Sequence, residues 1–298
     1  DEILDVIPRE FIIDDQKGIK RPEDLTGIRL EAKVLLLCYF QQYFMNLTQA
    51  VLNAKLKIDD VVPSVLAAAK AVLTPQQKEL GVALVDIGGA TTSLAVFEEG
   101  ELIHLAVFPI GSANITNDIA IGLKTEIAIA ESIKKQHGTC IFAKTGGHGV
   151  YSGLSSDKKD IRKLAERKKI EIFDKSSSIN FTKKNLVDII EPRVSEILDL
   201  VQKELKKINR QELLPGGIIL TGGGSKISKI KELAKDVLKL PCEIGRPQGI
   251  IGLEDDPALA TVAGLALDGV DSGSQEGILG VAGNVGSVLK KIFRAFKP

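Results

Sequence analysis

The chain has 298 residues, of which 44% are hydrophobic, enough for one large or two ordinary domains with a true core and room for a cleft. Its 39 basic residues balance 39 acidic ones, so no overall field draws it to nucleic acid, and any electrostatic function must be local. Three cysteines, Cys38, Cys140 and Cys242, lie far apart without CxxC spacing, which argues against a disulfide framework or zinc site and fits a reducing cytoplasm.

The opening Asp-Glu-Ile-Leu carries neither an initiator Met nor a signal-peptide pattern and reads as a chain lacking its beginning. Short apolar runs at Ile3 to Ile7, Phe11 to Ile13, Ile28 to Leu30 and Val34 to Leu37 predict strands. The longest apolar run, Val34 to Phe40, is far shorter than the roughly 18 residues of a membrane-spanning helix. Residues 42–56 and 62–73 are predicted helical. Gly81 to Val85 is a fully apolar strand leading into Asp86-Ile87-Gly88-Gly89-Ala90-Thr91-Thr92. Strands Ser93 to Phe97 and Leu102 to Phe108, joined by Glu99-Gly100, complete a β-meander.

Helices are expected over Asn114 to Leu123 and over Thr125 to Gln136, with Thr125 as N-cap and Gly138 as the residue past the end. Lys144 to Lys183 is rich in glycine, serine and lysine and reads as a smaller, more exposed unit. Leu186, Ile190, Val194, Ile197 and Val201 recur at helical spacing, with Pro192 a kink or restart. Gly217 to Leu220 is a short buried strand, Thr221-Gly222-Gly223-Gly224-Ser225 a turn, and Lys226 to Leu238 a helix capped by Ser225. Pro257 opens a helix to Leu267, and a glycine-rich linker follows. Strands mixed with helices predict an α/β architecture with mixed sheets, flanking helices and ligands at strand carboxyl ends.

Small residues at 88–90 let backbone N–H groups approach a phosphate, and the hydroxyls of Thr91 and Thr92 would add donors. Asp86 would hold a water or Mg2+ beside the phosphates. The second turn, with Gly222, Gly223, Gly224 and Ser225, would suit an anion or a nucleoside at a helix start. Either turn alone also fits an ordinary hairpin or βα turn. In this order, about 135 residues apart, the pair resembles the phosphate and adenosine motifs of the actin, DnaK-chaperone and sugar-kinase superfamily.

Within it the chain resembles the FtsA family, through Val6 to Asp15, Gly27 to Ala32, Ala71 to Thr74 with Lys78 to Gly89, Ile115 to Ala120, and Ile190 to Val194. The resemblance implies an actin-like (ribonuclease H-like) ATPase fold. Residues 1–27 would end subdomain 1C, an SHS2-like unit. Residues 28–77 and 256–268 would belong to subdomain 1A, 78–138 and 183–255 to nucleotide-binding subdomain 2A, and 139–182 to subdomain 2B. It further implies ATP and Mg2+ as ligands, actin-like filaments formed with other copies, and attachment of FtsZ, whose C-terminal tail docks on 2B. The place implied is the cytoplasmic face of the membrane at the division site.

Three departures qualify this. Ala90 and Ser93 stand where the family has Gly and Asp, and Ser64 stands where an acidic or amide residue positions the attacking water, a reach its short hydroxyl lacks. The superfamily's first phosphate loop would precede residue 1. Retained nucleotide binding with slow or absent hydrolysis is the expectation, with a weak ATPase at most. Alternative readings are a PilM-like pilus-assembly relative and a small-molecule kinase of the same superfamily.

The tail carries a signal of its own. After the linker 269–284, Val285, Val288, Leu289, Ile292, Phe293 and Phe296 share one helical face, and Lys290, Lys291, Arg294 and Lys297 lie opposite. Such a helix over 285–298 lies in the plane of an anionic membrane surface, where each cation adds about 1 kcal/mol. The competing reading is a helix docked on the protein itself; a flexible linker reaching roughly 20 Å favours the membrane. His104, His137 and His148 share no ligand spacing and are assigned no metal. A basic run including Arg162 and Lys163 is a solvated face or, in the 2B region, a docking surface for the acidic FtsZ tail.

Overall fold

The computed structural model describes residues 2–140, 169–174 and 177–273. Arg162, Lys163 and the tail residues Val285 to Lys297 lie outside these.

Strands β1 (Glu2–Ile13), β2 (Gln16–Ile19) and β3 (Leu30–Tyr39) form an antiparallel sheet in the order β2-β1-β3. Asp14 and Asp15, with φ of 47° and 71°, make the tight β1–β2 turn, whose positive dihedrals match strand twist. The Asp14 carboxylate accepts the N–H groups of Ile28 and Arg29, at 3.0 and 2.8 Å, and so fixes the chain entering β3. The apolar runs at 3–7 and 11–13 fuse into β1, and Pro8 sits beside a register shift where a ladder donor is dispensable. Ile28 lies outside any strand and is 99% exposed. The partition expected at 27/28 falls between β2 and β3, members of one sheet.

Helix α1 (Gln41–Asn53) contains no buried residue. Helices α2 (Ser64–Val72) and α3 (Pro75–Leu80) follow. The sequence reading missed α3 although its signature is legible: Thr74 accepts the N–H of Gln77, whose side chain accepts the N–H of Thr74, and Pro75 is the first helical residue.

Strands β4 (Val82–Ile87), β5 (Thr92–Glu98) and β6 (Glu101–Phe108) form the expected meander. After it come α4 (Ser112–Leu123), α5 (Ile127–His137), the hairpin β7 (Lys169–Asp174) and β8 (Ser177–Thr182), and α6 (Lys183–Lys207). The chain then forms β9 (Ile218–Thr221), α7 (Ile230–Leu238), β10 (Cys242–Ile244) and α8 (Ala260–Gly273). The main sheet has the order β10-β9-β4-β5-β6, with β4 and β9 parallel. Strand alternation divides its side chains: Ala83, Val85, Ile87, Leu94 and Val96 pack with α4 to α7. Val82, Leu84, Ala95 and Phe97 pack against α2 and α8 on the other face. Small residues bring α2 and α8 together, and a Cβ on Gly264 would stand 1.8 Å from the Ala67 carbonyl oxygen.

Several expected boundaries change. The N-cap of α5 is Glu126; the Thr125 N–H instead closes α4 by donating to Ala120, and Gly138 ends α5 in an extended conformation. Helix α6 runs through Pro192 without interruption, because its buried face of Leu186, Ile190, Val194 and Ile197 is continuous. Ser225 does not cap α7. It lies in a 3-10 turn, Gly223–Lys226, and α7 starts after Lys229, whose backbone is left-handed. Pro257 opens another 3-10 turn, Pro257–Leu259, and α8 continues to Gly273, past the expected start of the linker. The Asp268–Lys70 ion pair at 2.5 Å anchors that last stretch to α2.

Candidate functional site

The two glycine turns, remote in sequence, leave adjacent parallel strands at the same end. Asp86 on β4 is opposite Thr221 on β9, so the turns at 88–91 and 222–225 begin side by side. Gly222 needs to be glycine twice over. Its φ is +81°, and a Cβ would meet the Asp86 carboxylate at 2.2 Å and the Ile87 carbonyl at 2.6 Å.

The first turn is oriented from behind. Gly88 donates to the Thr91 carbonyl at 2.9 Å and closes the turn. Ser112 and Ala113, at the start of α4, donate to the carbonyls of Gly88 and Gly89 at 2.9 and 2.8 Å. A trans peptide points its N–H opposite its C=O, so the N–H groups of Gly89 and Ala90 face away from α4. Gly89, Ala90 and Thr91 are exposed, and a Cβ on Gly89 would meet nothing within 4 Å. Two outward amides beneath open space make an anion cradle. The helix behind approaches so closely that a Cβ on Gly111 would stand 2.4 Å from the Gly89 carbonyl oxygen.

Two hydroxyls expected to face a ligand do not. Thr92 is fully buried and donates to the Ile110 carbonyl at 2.8 Å. Ser225 is buried and donates to Gly222 at 2.7 Å. Both fasten their turns because a buried hydroxyl must find an acceptor. Thr221 does likewise, bonding the carbonyls of Gly245 and Pro257 at 3.2 and 3.1 Å. Ser93 is buried in the meander.

Asp86 is half-buried between the turns. Burial raises its carboxyl above the ordinary value, partly offset by the hydroxyl of Thr261, 3.3 Å away. Thr261 opens α8 and also lies 3.5 Å from the Ser64 carbonyl at the start of α2. Ser64, Asp86 and Thr261 therefore mark one mouth where α2, β4 and α8 meet. The described residues contain no group of three or more His, Cys, Asp or Glu able to enclose a metal, so Asp86 would act on Mg2+ singly or through water.

A buried network behind the first turn went unread in the sequence. The Lys134 ammonium, with its side chain 8% exposed, donates to the Ser112 carbonyl at 3.0 Å and Thr116 at 2.7 Å, and pairs with Glu131 at 2.7 Å. Against burial, which raises it, the bonds from Lys134 and Thr116 hold the Glu131 carboxyl below its usual value. The signal was available: Lys134 lies at helical spacing with Ala130 and Ile133 on the buried face of α5. Arg193 joins Asp118 at 2.6 and 3.0 Å across α4 and α6 and bonds Glu196 locally. His104 meets Glu204 at 3.0 Å, and His137 lies edge-on to Phe181. Burial pushes the thiols of Cys140 and Cys242 up to about 12.

Comparison with known proteins places this geometry. Among solved structures, MreB5 of Spiroplasma citri bound to ADP superposes with a TM-score of 0.58 at 19% identity, over 77% of this chain and 65% of that one. The PilM-PilN type IV pilus biogenesis complex gives 0.57 at 20% identity, over 89% and 67%. These fix the actin-like fold. In sequence, residues 1–38 match the SHS2 domain inserted in FtsA, and residues 83–264 match the cell division protein FtsA family. The FtsA of Pseudomonas aeruginosa is 36% identical over 95% of this chain and 64% of its own length. That of Escherichia coli K12 is 34% identical over 97% and 68%. The chain spans about half to two thirds of the length of the curated relatives it matches. With the family model covering well over half its residues, the chain belongs to the FtsA family of actin-like cell-division proteins.

Proposed function

We propose that this protein acts in cell division by binding ATP with Mg2+ and using it as a conformational ligand more than as fuel. The observation that carries this is the parallel pairing of β4 and β9, which delivers both glycine turns and Asp86 to one mouth. The residues present fit a nucleotide. Gly89 and Ala90 would present backbone donors to phosphate, Thr91 its hydroxyl, and Gly223, exposed between the buried Gly222 and Gly224, a side-chain-free surface for the nucleoside. Asp86 would orient Mg2+, whose chemistry there is neutralisation of phosphate charge. The structurally similar MreB5 is bound to ADP, which agrees. Ser64, at the mouth, offers only a short hydroxyl to an attacking water, so hydrolysis is slow or absent.

The rest of the reading is adaptor chemistry. Copies associate into actin-like filaments, the 2B region with Arg162 and Lys163 takes the acidic C-terminal tail of FtsZ, and the amphipathic residues 285–298 fasten the assembly to the cytoplasmic face of the membrane at the division site. Titration of the intact protein with a fluorescent ATP analogue, with and without Mg2+, tests the core of this. Saturable, Mg2+-enhanced binding is expected, and no binding by the folded intact protein refutes it. Turnover at the roughly 1 to 100 per second of a kinase would refute the conformational-ligand reading.

A further inference from the structure

Beside α2 and α8, at the β5–β6 end of the sheet remote from the glycine turns, lies a cavity of about 650 Å3 that the nucleotide site does not use. Ile7, Leu37, Leu66, Phe97 and Leu102 make its wall apolar, and Asp5, Asp59, Asp60, Glu101 and Asp268 bring five carboxylates to it. Two ammonium groups line it: Lys70, paired with Asp268, and Lys78, 5.1 Å from the centre of the Phe97 ring. The wall is therefore greasy and carries excess negative charge. Asp5 and Asp60 accept only the N–H groups of Val6 and Val61, at 2.8 and 2.7 Å, and among the described residues neither is paired with a cation. Burial, and then the neighbouring Asp60, raise the Asp5 carboxyl, as expected of a site short of positive charge.

The chain carries a segment of matching chemistry close by. Asp268 belongs to α8, which ends five residues later at Gly273. The eleven residues 274–284 that follow would, as a coil, span about 18 Å. Beyond them, residues 285–298 set Val288, Ile292, Phe293 and Phe296 on one helical face, with four basic and no acidic side chains in the segment.

We propose that this cavity is the resting seat of the chain's own residues 285–298, with Phe293 and Phe296 against the apolar wall and the basic side chains beside Asp5, Asp60 and Glu101. The inference rests on the membrane-anchor reading and adds its regulation. Cavity and lipid compete for one apolar face, so the anchor is sheltered until an anionic surface draws it out.

The chain has no tryptophan, so Phe293→Trp is the single reporter within it, used in the full-length protein with any tryptophan outside these 298 residues changed to Phe. Without vesicles its emission is expected to be blue-shifted, with acrylamide quenching about threefold weaker than in the same protein carrying Asp5→Lys and Asp60→Lys. Equal quenching in the two overturns the seat. Should the reversed pair change the far-UV circular dichroism, Glu101→Lys alone, at a half-buried position lining the cavity, supplies the comparison. Phosphatidylcholine–phosphatidylglycerol vesicles separate the two ideas. Tighter vesicle binding by the reversed variant than by a charge-matched one carrying Glu254→Lys and Asp255→Lys, away from the cavity, supports the seat, and equal binding by these two counts against it. No vesicle binding by either protein refutes the membrane anchor, while the quenching comparison still decides the seat.

Discussion

Strands β3 and β4 are both rich in aliphatic side chains, yet five of six β4 residues are buried and one of ten in β3 is. The difference lies in what covers them. Strand β4 is central in a five-stranded sheet with helices on both faces, so both halves of its alternation enter a core. Strand β3 is at the edge of a three-stranded sheet that touches the main body through Ile7 and Leu37, leaving Val34, Leu36 and Cys38 exposed. Neighbouring α1 has the composition of a packed helix and buries nothing. The glycine turns are anchored on the rigid unit, which suits a site that needs outward amides held still.

That contrast can be broken by substitution. Leu84→Ala on the sheet's α2 face should cost about 3 kcal/mol in urea denaturation, through lost transfer energy and a cavity. Gly264→Ala should cost about 2 kcal/mol in the same assay, because the new methyl meets the Ala67 carbonyl and forces α2 and α8 apart. Lys134→Met should lose a similar amount, about 2 kcal/mol, since Thr116, Ser112 and Glu131 lose a shared donor. Nucleotide affinity should fall with it as the first turn loosens, and Lys134→Arg should restore part of that affinity.

Asp86→Asn sharpens the comparison by separating binding from stability. Mg2+-dependent nucleotide affinity should drop by about tenfold, on the order of 1.4 kcal/mol. Without ligand the sign reverses. The folded carboxyl holds its proton to higher pH than the unfolded one, so wild-type stability falls as pH rises from the ordinary carboxylate value through the raised one. The Asn variant should lack that fall, which a pH series of urea denaturations would show. The smallest effect is expected at β3, where Leu36→Ala, at a position 48% exposed, should change stability by less than about 0.5 kcal/mol. A loss as large as that of Leu84→Ala would mean that β3 is as firmly covered as β4.

Much of this was legible locally. The β-meander, its Glu99-Gly100 turn and the strands before both glycine runs follow from apolar alternation and turn chemistry. The Thr74–Gln77 capping box was equally legible and overlooked. Helix caps were misassigned at Thr125 and Ser225, where a hydroxyl before an apolar stretch has the right composition, but the Thr125 N–H closes α4 on Ala120 and the Ser225 hydroxyl closes its own 3-10 turn on Gly222. Pro192, expected as a kink or restart in a long amphipathic helix, lies inside one uninterrupted helix, whose buried face continues on both sides of it.

By itself the sequence determined the β-meander and the strands before both glycine runs, where backbone must approach backbone, and that a carboxylate ends a buried strand, because these depend on neighbours within a few residues; it did not mark β2, β7, β8 or β10 as strands. Only the tertiary structure decided that Asp86 faces Thr221, that Thr92 turns inward to Ile110, and that Lys134 reaches the base of the first turn. Those outcomes depend on strand order and on which acceptor a buried donor finds first, and contacts between separate elements leave no period in the chain.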